Sequence, residues 1–326
     1  MTEKLFQNKS EIKDNDQEAA EVLAERLRLK EQYLSQIKVL YESGVLENFA
    51  VNPEQGRYAP EMGVIGIDGK DYPLPSYEDI LSRLQDPEKR ALMEKKAEQG
   101  FTKLQLVPLA LPLSVLIDRF KHTLLKIHKE TGVKATDGST LELDENNPLH
   151  VWEDILQCDN PETPQGKQME YGVTNYEGET KEARGGRYKS ELLQNPDNAW
   201  RISLIEDCPD LPAEGKGKTV SGRKQFEANQ SPEEYLKLLQ TQEPCQGEAG
   251  QTPEEALTAW LTYLQEKHVA IDDWEGQGKA NWLAGQYLSG YVPGFYWDRG
   301  ARRPVLDRNY PGDRYSYDGF RPAARF

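Results

Sequence analysis

Between Tyr287 and Phe326 the chain carries Tyr291, Phe295, Tyr296, Trp297, Tyr310, Tyr315, Tyr317, Phe320 and Phe326, interleaved with seven arginines and four aspartates. Tyr, Trp and Arg supply much contact energy for little ordering cost, so this set carries the chemistry of a binding surface. Turn formers separate the aromatic residues at Pro293-Gly294, Gly300, Pro304, Asn309 to Gly312 and Asp318-Gly319. They predict short strands joined by displayed loops. From Leu288 onward there is no Lys, Glu, Gln or Met, and arginine exceeds aspartate by three on a chain whose net charge is −15. A buried, arginine-rich sheet is the plainer alternative for such a stretch, although charged side chains are seldom buried unless paired. A third alternative is a single-stranded nucleic-acid binder that uses the rings and guanidinium groups as stacking platforms.

Catalytic and metal chemistry find less support. The sequence holds no Gly-x-Ser-x-Gly elbow, no His-Glu-x-x-His pair, and no Cys in the terminal stretch. His122 and His128 lie six apart on a predicted helix, where metal ligands would stand four apart, and read as surface residues. His268 falls at a helix end, where the backbone dipole favours a cation. Glu142, Asp144, Glu145, Asn146 and Asn147 lack the alternating ligands and central Gly of a calcium loop. Gly215 to Thr219 (GKGKT) resembles part of a phosphate-binding loop, but Pro212 stands where that loop needs its first Gly. Asp272, Asp273 and Asp298 could serve as acids in a cleft, but any acidic protein offers such residues. The expectation is no catalytic residue, no metal and no cofactor.

The elements that must position the terminal stretch are legible upstream. Residues 16 to 43 predict a helix in which Ala20, Leu23, Leu27, Lys30, Leu34, Ile37 and Tyr41 form a heptad seam closed by Gly44. It is expected to pack on its own chain, with dimerisation as the alternative. Residues 45 to 75 read as a Pro- and Gly-punctuated connection with a hairpin near Val64 to Tyr72, followed by helices capped at Ser76 and Asp86. Phe101 to Leu111 and Ala199 to Glu206 read as buried strands, and Pro112 opens an amphipathic helix closed by Gly132. Trp152 is expected to anchor its segment to the core. Ser231 and Thr252 each begin a capping box with Pro at the first helical position. Helices first and irregular strands last make an α+β chain.

Composition sets the outer limits. The 326 residues suffice for one large domain and an accessory piece, here divided as a helical region over 1–100 and a domain over 101–326. A mean hydropathy of −0.79 and the lack of any long apolar run argue against a membrane span. The polar start, which lacks a signal peptide, and three widely spaced cysteines (Cys158, Cys208, Cys245) point to a cytoplasmic, reducing setting. Surface display by another route stays open.

The ending GYVPGFYWDRGARRPVLDRNYPGDRYSYDGFRPAARF resembles the variable region of diversity-generating retroelement target proteins. These have a C-type lectin fold, many in a subgroup related to formylglycine-generating enzymes, and close on a Gly-x-Arg-x-Ala pattern, here Gly319 to Ala323. The motif covers about the last forty residues (variable part about 291–321). The helices at SGRKQFEANQSPEEYLKLL and TPEEALTAWLTYLQ extend the similarity to roughly 101–326. In that family a reverse transcriptase copies a template with errors at adenines. Randomised Asn codons then give Tyr, Asp, Ser, Gly, Arg, Phe, Val, Ala or Pro, but not Lys, Glu, Gln, Met or Trp. The resemblance therefore implies diversified, ligand-binding positions at Phe295, Tyr296, Gly300, Ala301, Arg303, Val305, Asp307, Asn309, Tyr310, Asp313, Tyr315, Ser316 and Tyr317. It implies scaffold positions at Trp297, Gly319 and Arg321. A non-enzymatic binder of a protein or cell-surface molecule is expected, as a monomer, with a formylglycine-generating-type enzyme as the alternative. Glu243-Pro244 is followed by Cys245, so the triplets of calcium-dependent sugar binding are missing, and so is a terminal Cys pair.

Overall fold

The structure is a computed structural model that describes residues 15–52, 59–276 and 278–326. The polar start used in reading localisation, and Pro53 to Tyr58 of the connection, lie outside the described residues. In chain order, helices α1 (15–26) and α2 (Leu29–Glu42) precede a three-stranded meander, β1 (Glu47–Phe49), β2 (Glu61–Ile65) and β3 (Asp71–Pro73). The β2–β3 pairing of Val64 with Tyr72 is the expected hairpin. Helices α3 (Tyr77–Leu84) and α4 (Pro87–Glu98) start where their caps predict: Ser76 and Asp79 exchange a capping box, and Asp86 caps the second. Strand β4 (Phe101–Val107) leads to α5 (Leu113–Thr131), β5 (His150–Val151) and β6 (Arg201–Glu206). Next come α6 (Pro232–Thr241), β7 (Glu248–Gly250) and α7 (Pro253–Lys267). The ending is β8 (Ala280–Trp282), β9 (Val292–Asp298), β10 (Arg303–Asn309), β11 (Asp318–Phe320) and β12 (Pro322–Arg325). The chain is α+β.

Two sheets share the core. One is antiparallel with the order β7-β12-β6-β4, and the other runs β11-β8-β9-β10-β5. Helix α7 lies between them and is buried on every side from Pro253 to Leu264; its two buried acids are paired, Glu254 with Lys189 and Glu255 with Arg325. Its Glu255 carbonyl accepts from Gln105 of β4, and its Trp260 ring meets Phe295 of β9 at 4.9 Å. Phe120 of α5 closes that group, 5.7 Å from Phe295. One hydrophobic cluster includes residues from Ala20 to Ala324, on both sides of the boundary expected at residue 100. No helix among the described residues is long and apolar enough to cross a membrane.

One expectation for the upstream elements needs correction. The heptad helix over 16–43 is two helices, broken at Arg28, whose φ of 52° is left-handed. The break turns the second helix, so Leu34 and Tyr41 of the seam are 58% and 55% exposed while Leu29, Gln36, Val39 and Leu40 are buried. Two glutamines dock α2 on this chain. Gln32 accepts from the Leu104 amide at 2.8 Å and donates to the Thr102 carbonyl, and Gln36 accepts from the Leu106 amide. They occupy hydrogen-bonding groups along the free side of β4, an edge that would otherwise invite other strands. Trp152 is half-buried and packs against the main core as expected, with the Arg308 guanidinium over its ring and Tyr291 edge-on to it.

The motifs set aside at the sequence level take ordinary places. Gly215 to Thr219 precedes a short ladder, Thr219–Val220 with Arg223–Lys224, and no helix follows to receive a phosphate. The acidic loop is neutralised by Arg302, Arg303 and Lys129, which pair with Glu142, Asp144 and Glu145. No group of three metal-ligating side chains occurs among the described residues.

Candidate functional site

The β9–β10 hairpin gives the terminal stretch two faces. On β9, Phe295 and Trp297 are fully buried, while Tyr296 and Asp298 between and beyond them are partly exposed. The period of two explains this: residues 295 and 297 must share a face, so a buried Trp297 takes Phe295 inward with it. Phe295 is therefore a core residue and is withdrawn from the binding set. Val305 is 5% exposed because it lies in register between Tyr296 on one side and His150 on the other, and it too is withdrawn.

The remaining candidates fall into three places. Tyr296, Asp307, Asp313, Tyr315, Ser316 and Tyr317 gather on and around the outer face. Tyr317 lies 4.9 Å from Trp274 and 5.2 Å from Tyr315, ring to ring, and Trp274 stands edge-on to Tyr296 at 6.3 Å. Tyr315 also leans on a smaller core that includes Trp282, Tyr235 and Phe320. Gly300, Ala301 and Arg303 lie at the hairpin turn, where the Gly300 amide donates to Glu275 and Arg303 pairs with Asp144. Asn309 and Tyr310 lie at the far end. There Tyr310 packs 4.8 Å from Tyr291, and the Arg308 guanidinium sits 4.1 Å from the rings of both Tyr291 and Trp152.

The positions read as scaffold are deeply set. Trp297 is fully buried, and Gly319 is buried where an added Cβ would press on Leu211 at 3.2 Å. Arg321 is 1% exposed, pairs with Asp272 at 2.7 Å, and donates to the Cys208 and Pro209 carbonyls. Burial pushes the Asp272 carboxyl up, and Arg321 opposes that.

The charge of the face is opposite to what the composition suggests. Six of the seven terminal arginines are held by acids outside the stretch: Arg299 by Asp273, Arg302 by Glu142, Arg303 by Asp144, Arg314 by Glu234, Arg321 by Asp272 and Arg325 by Glu255. Gly276 allows the first pair, since a Cβ there would fall 2.2 Å from the Asp273 carboxylate. Among the described residues no ion pair reaches Asp298, Asp307, Asp313 or Asp318. Asp298 accepts only from the Ala301 amide and Asp313 from the Tyr310 amide.

Asp318 is the unusual member. It is 4% exposed, and its Oδ2 has no hydrogen-bond partner. Burial, with Asp313 adding to it, pushes its carboxyl up to about 7. Asn281 pairs with Phe295 on one side and Gly319 on the other, so Tyr296 and Asp318, each one residue along, share the outer face. Sequence reasoning missed Asp318, Trp274 and the Arg308 cluster. The alternation Tyr317-Asp318-Gly319-Phe320 held a signal for the first, since a strand pairing there sets Asp318 and Phe320 on one side.

The chain matches no family model, and no curated protein or solved structure matches it either.

Proposed function

We propose that this chain is a ligand-binding protein that displays the outer face of its terminal sheet, on a scaffold of the C-type lectin kind, and that a retroelement diversifies the display. One observation carries the reading: the terminal stretch divides into clamped and unclamped residues. Trp297 is fully buried and Arg321 is held in the core by Asp272, whereas Tyr317 and Ser316 are exposed and Asp307 and Asp313 have no ion pair among the described residues. A surface of that kind tolerates change at the second set while the first keeps the fold. The strand-loop-strand ending that closes at Gly319 to Ala323 supports the lectin-like assignment. The nucleic-acid alternative loses its basis in charge, because the arginines it needs are engaged and the free carboxylates would repel phosphate.

Sequencing the DNA that flanks the gene tests the diversification. The expected result is a reverse-transcriptase gene and a near-copy repeat whose adenines fall on codons for Tyr296, Asp307, Asp313, Ser316 and Tyr317 and spare Trp297 and Arg321. No repeat, or adenines concentrated on the buried positions 295 and 305, overturns it.

A further inference from the structure

We propose that the outer face seats a basic segment of a partner protein, with a lysine or arginine side chain laid across the rings of Tyr296, Tyr317 and Trp274 and directed to Asp318. The inference deepens the binding reading above and rests on it. Four observations converge. First, the stretch spends its own cations on acids elsewhere in the chain and leaves its four aspartates without an ion pair among the described residues. Second, Asp318 is a buried carboxylate with an unpartnered oxygen, the kind of group that costs free energy until a cation reaches it. Third, the rings of Trp274, Tyr296 and Tyr317 pack together, with both tyrosines close enough to feel the Asp318 charge, and ring faces attract ammonium and guanidinium groups most when water is excluded. Fourth, the net charge of −15 draws a cationic partner toward the molecule.

Among the described residues, the chain's own cations do not answer Asp318. Lys279 stands beside Gly319, and Arg314 turns to Glu234. Arg308 is occupied by Tyr291 and Trp152 at the far end of the hairpin. A neutral or acidic partner would leave the orphaned carboxylate as it is or worsen it. A basic one pairs it while its alkyl stem covers the exposed rings.

The test titrates the full chain with a Gly/Ser peptide carrying lysines at alternate positions, and with the same peptide carrying glutamines. Calorimetry and Trp fluorescence report binding, and thermal melting reports the fold of each variant. Saturable binding of the lysine peptide alone is expected, weakening as salt rises. Asp318→Asn is expected to fold at least as well as the parent and to bind at least about tenfold more weakly. Tyr317→Ala weakens binding too, and Lys38→Gln, an exposed cation on α2, leaves it unchanged. Equal binding by Asp318→Asn, equal binding of the glutamine peptide, or no saturable binding overturns the proposal. If the flanking repeat exists and the lysine peptide fails, the display reading stands and the cationic partner falls. If the peptide binds where no repeat exists, the retroelement falls instead.

Discussion

Asp318 and Lys189 show how differently two buried charges act on stability. Asp318 has no counter-ion among the described residues, and its carboxyl is raised to about 7 from an ordinary value of 3.8. The folded state therefore holds that proton to higher pH than the unfolded state does. Stability from this group is greatest below about pH 4 and declines as pH rises to about 7. The groups facing it are the Asp313 carboxyl and the phenols of Tyr296, Tyr317 and Tyr235, and the phenols stay neutral across that window. Asp318→Asn should remove the slope and stabilise the protein by about 1–3 kcal/mol at pH 8; urea unfolding at pH 5 and pH 8 measures both. Lys189 is the reverse case. It is fully buried and 2.6 Å from both Asp159 and Glu254, and the Tyr171 hydroxyl also donates to Glu254. Burial pushes Glu254 up, but Lys189 outweighs it and leaves that carboxyl below its usual range. Lys189→Met strands two carboxylates in the core and should cost about 3–5 kcal/mol, read as a lower midpoint in the same unfolding experiment.

At the scale of elements, the hairpin β9–β10 sets scaffold and surface on alternate residues. Trp297→Ala removes a fully buried ring and should cost about 3–5 kcal/mol. Tyr317→Ala acts on a side chain that is 38% exposed and should change stability by no more than about 0.5–1 kcal/mol. Thermal melting separates the two, and a tolerant Trp297 beside an essential Tyr317 would overturn this division. Much of the fold was legible in the sequence where the cause is local. Ser76, Ser231 and Thr252 each cap a helix through a residue three positions on, and all three boxes form. The heptad reading failed at one residue, because a left-handed Arg28 leaves no trace in a hydrophobic pattern. The charge of the face was not legible either. The acids that hold Arg302 and Arg303, Glu142 and Asp144, stand far upstream, and only the folded chain brings them near.

Across the whole molecule, the helical start is part of the core and not an appendage. Ala20, Leu23, Leu29, Val39 and Leu40 belong to the cluster that also holds Trp260 and Phe295, and the two glutamines of α2 complete one side of β4. Deleting residues 1–44 should therefore prevent folding. Circular dichroism and light scattering on the truncated chain check this, and a folded, soluble product would show the start to be separable.

The order β7-β12-β6-β4 has a consequence for the time course of folding. Each pairing in that sheet joins segments roughly 70 to 120 residues apart along the chain, so a large loop must close before any of these ladders gives a return. Such a sheet cannot grow from neighbouring hairpins, and topologies of this kind fold in milliseconds to seconds or more slowly. Until β12 arrives, β6 and β7 lack the strand that joins them and offer open hydrogen-bonding groups to other molecules. Refolding by dilution from denaturant should accordingly be slow, and its yield should fall as protein concentration rises.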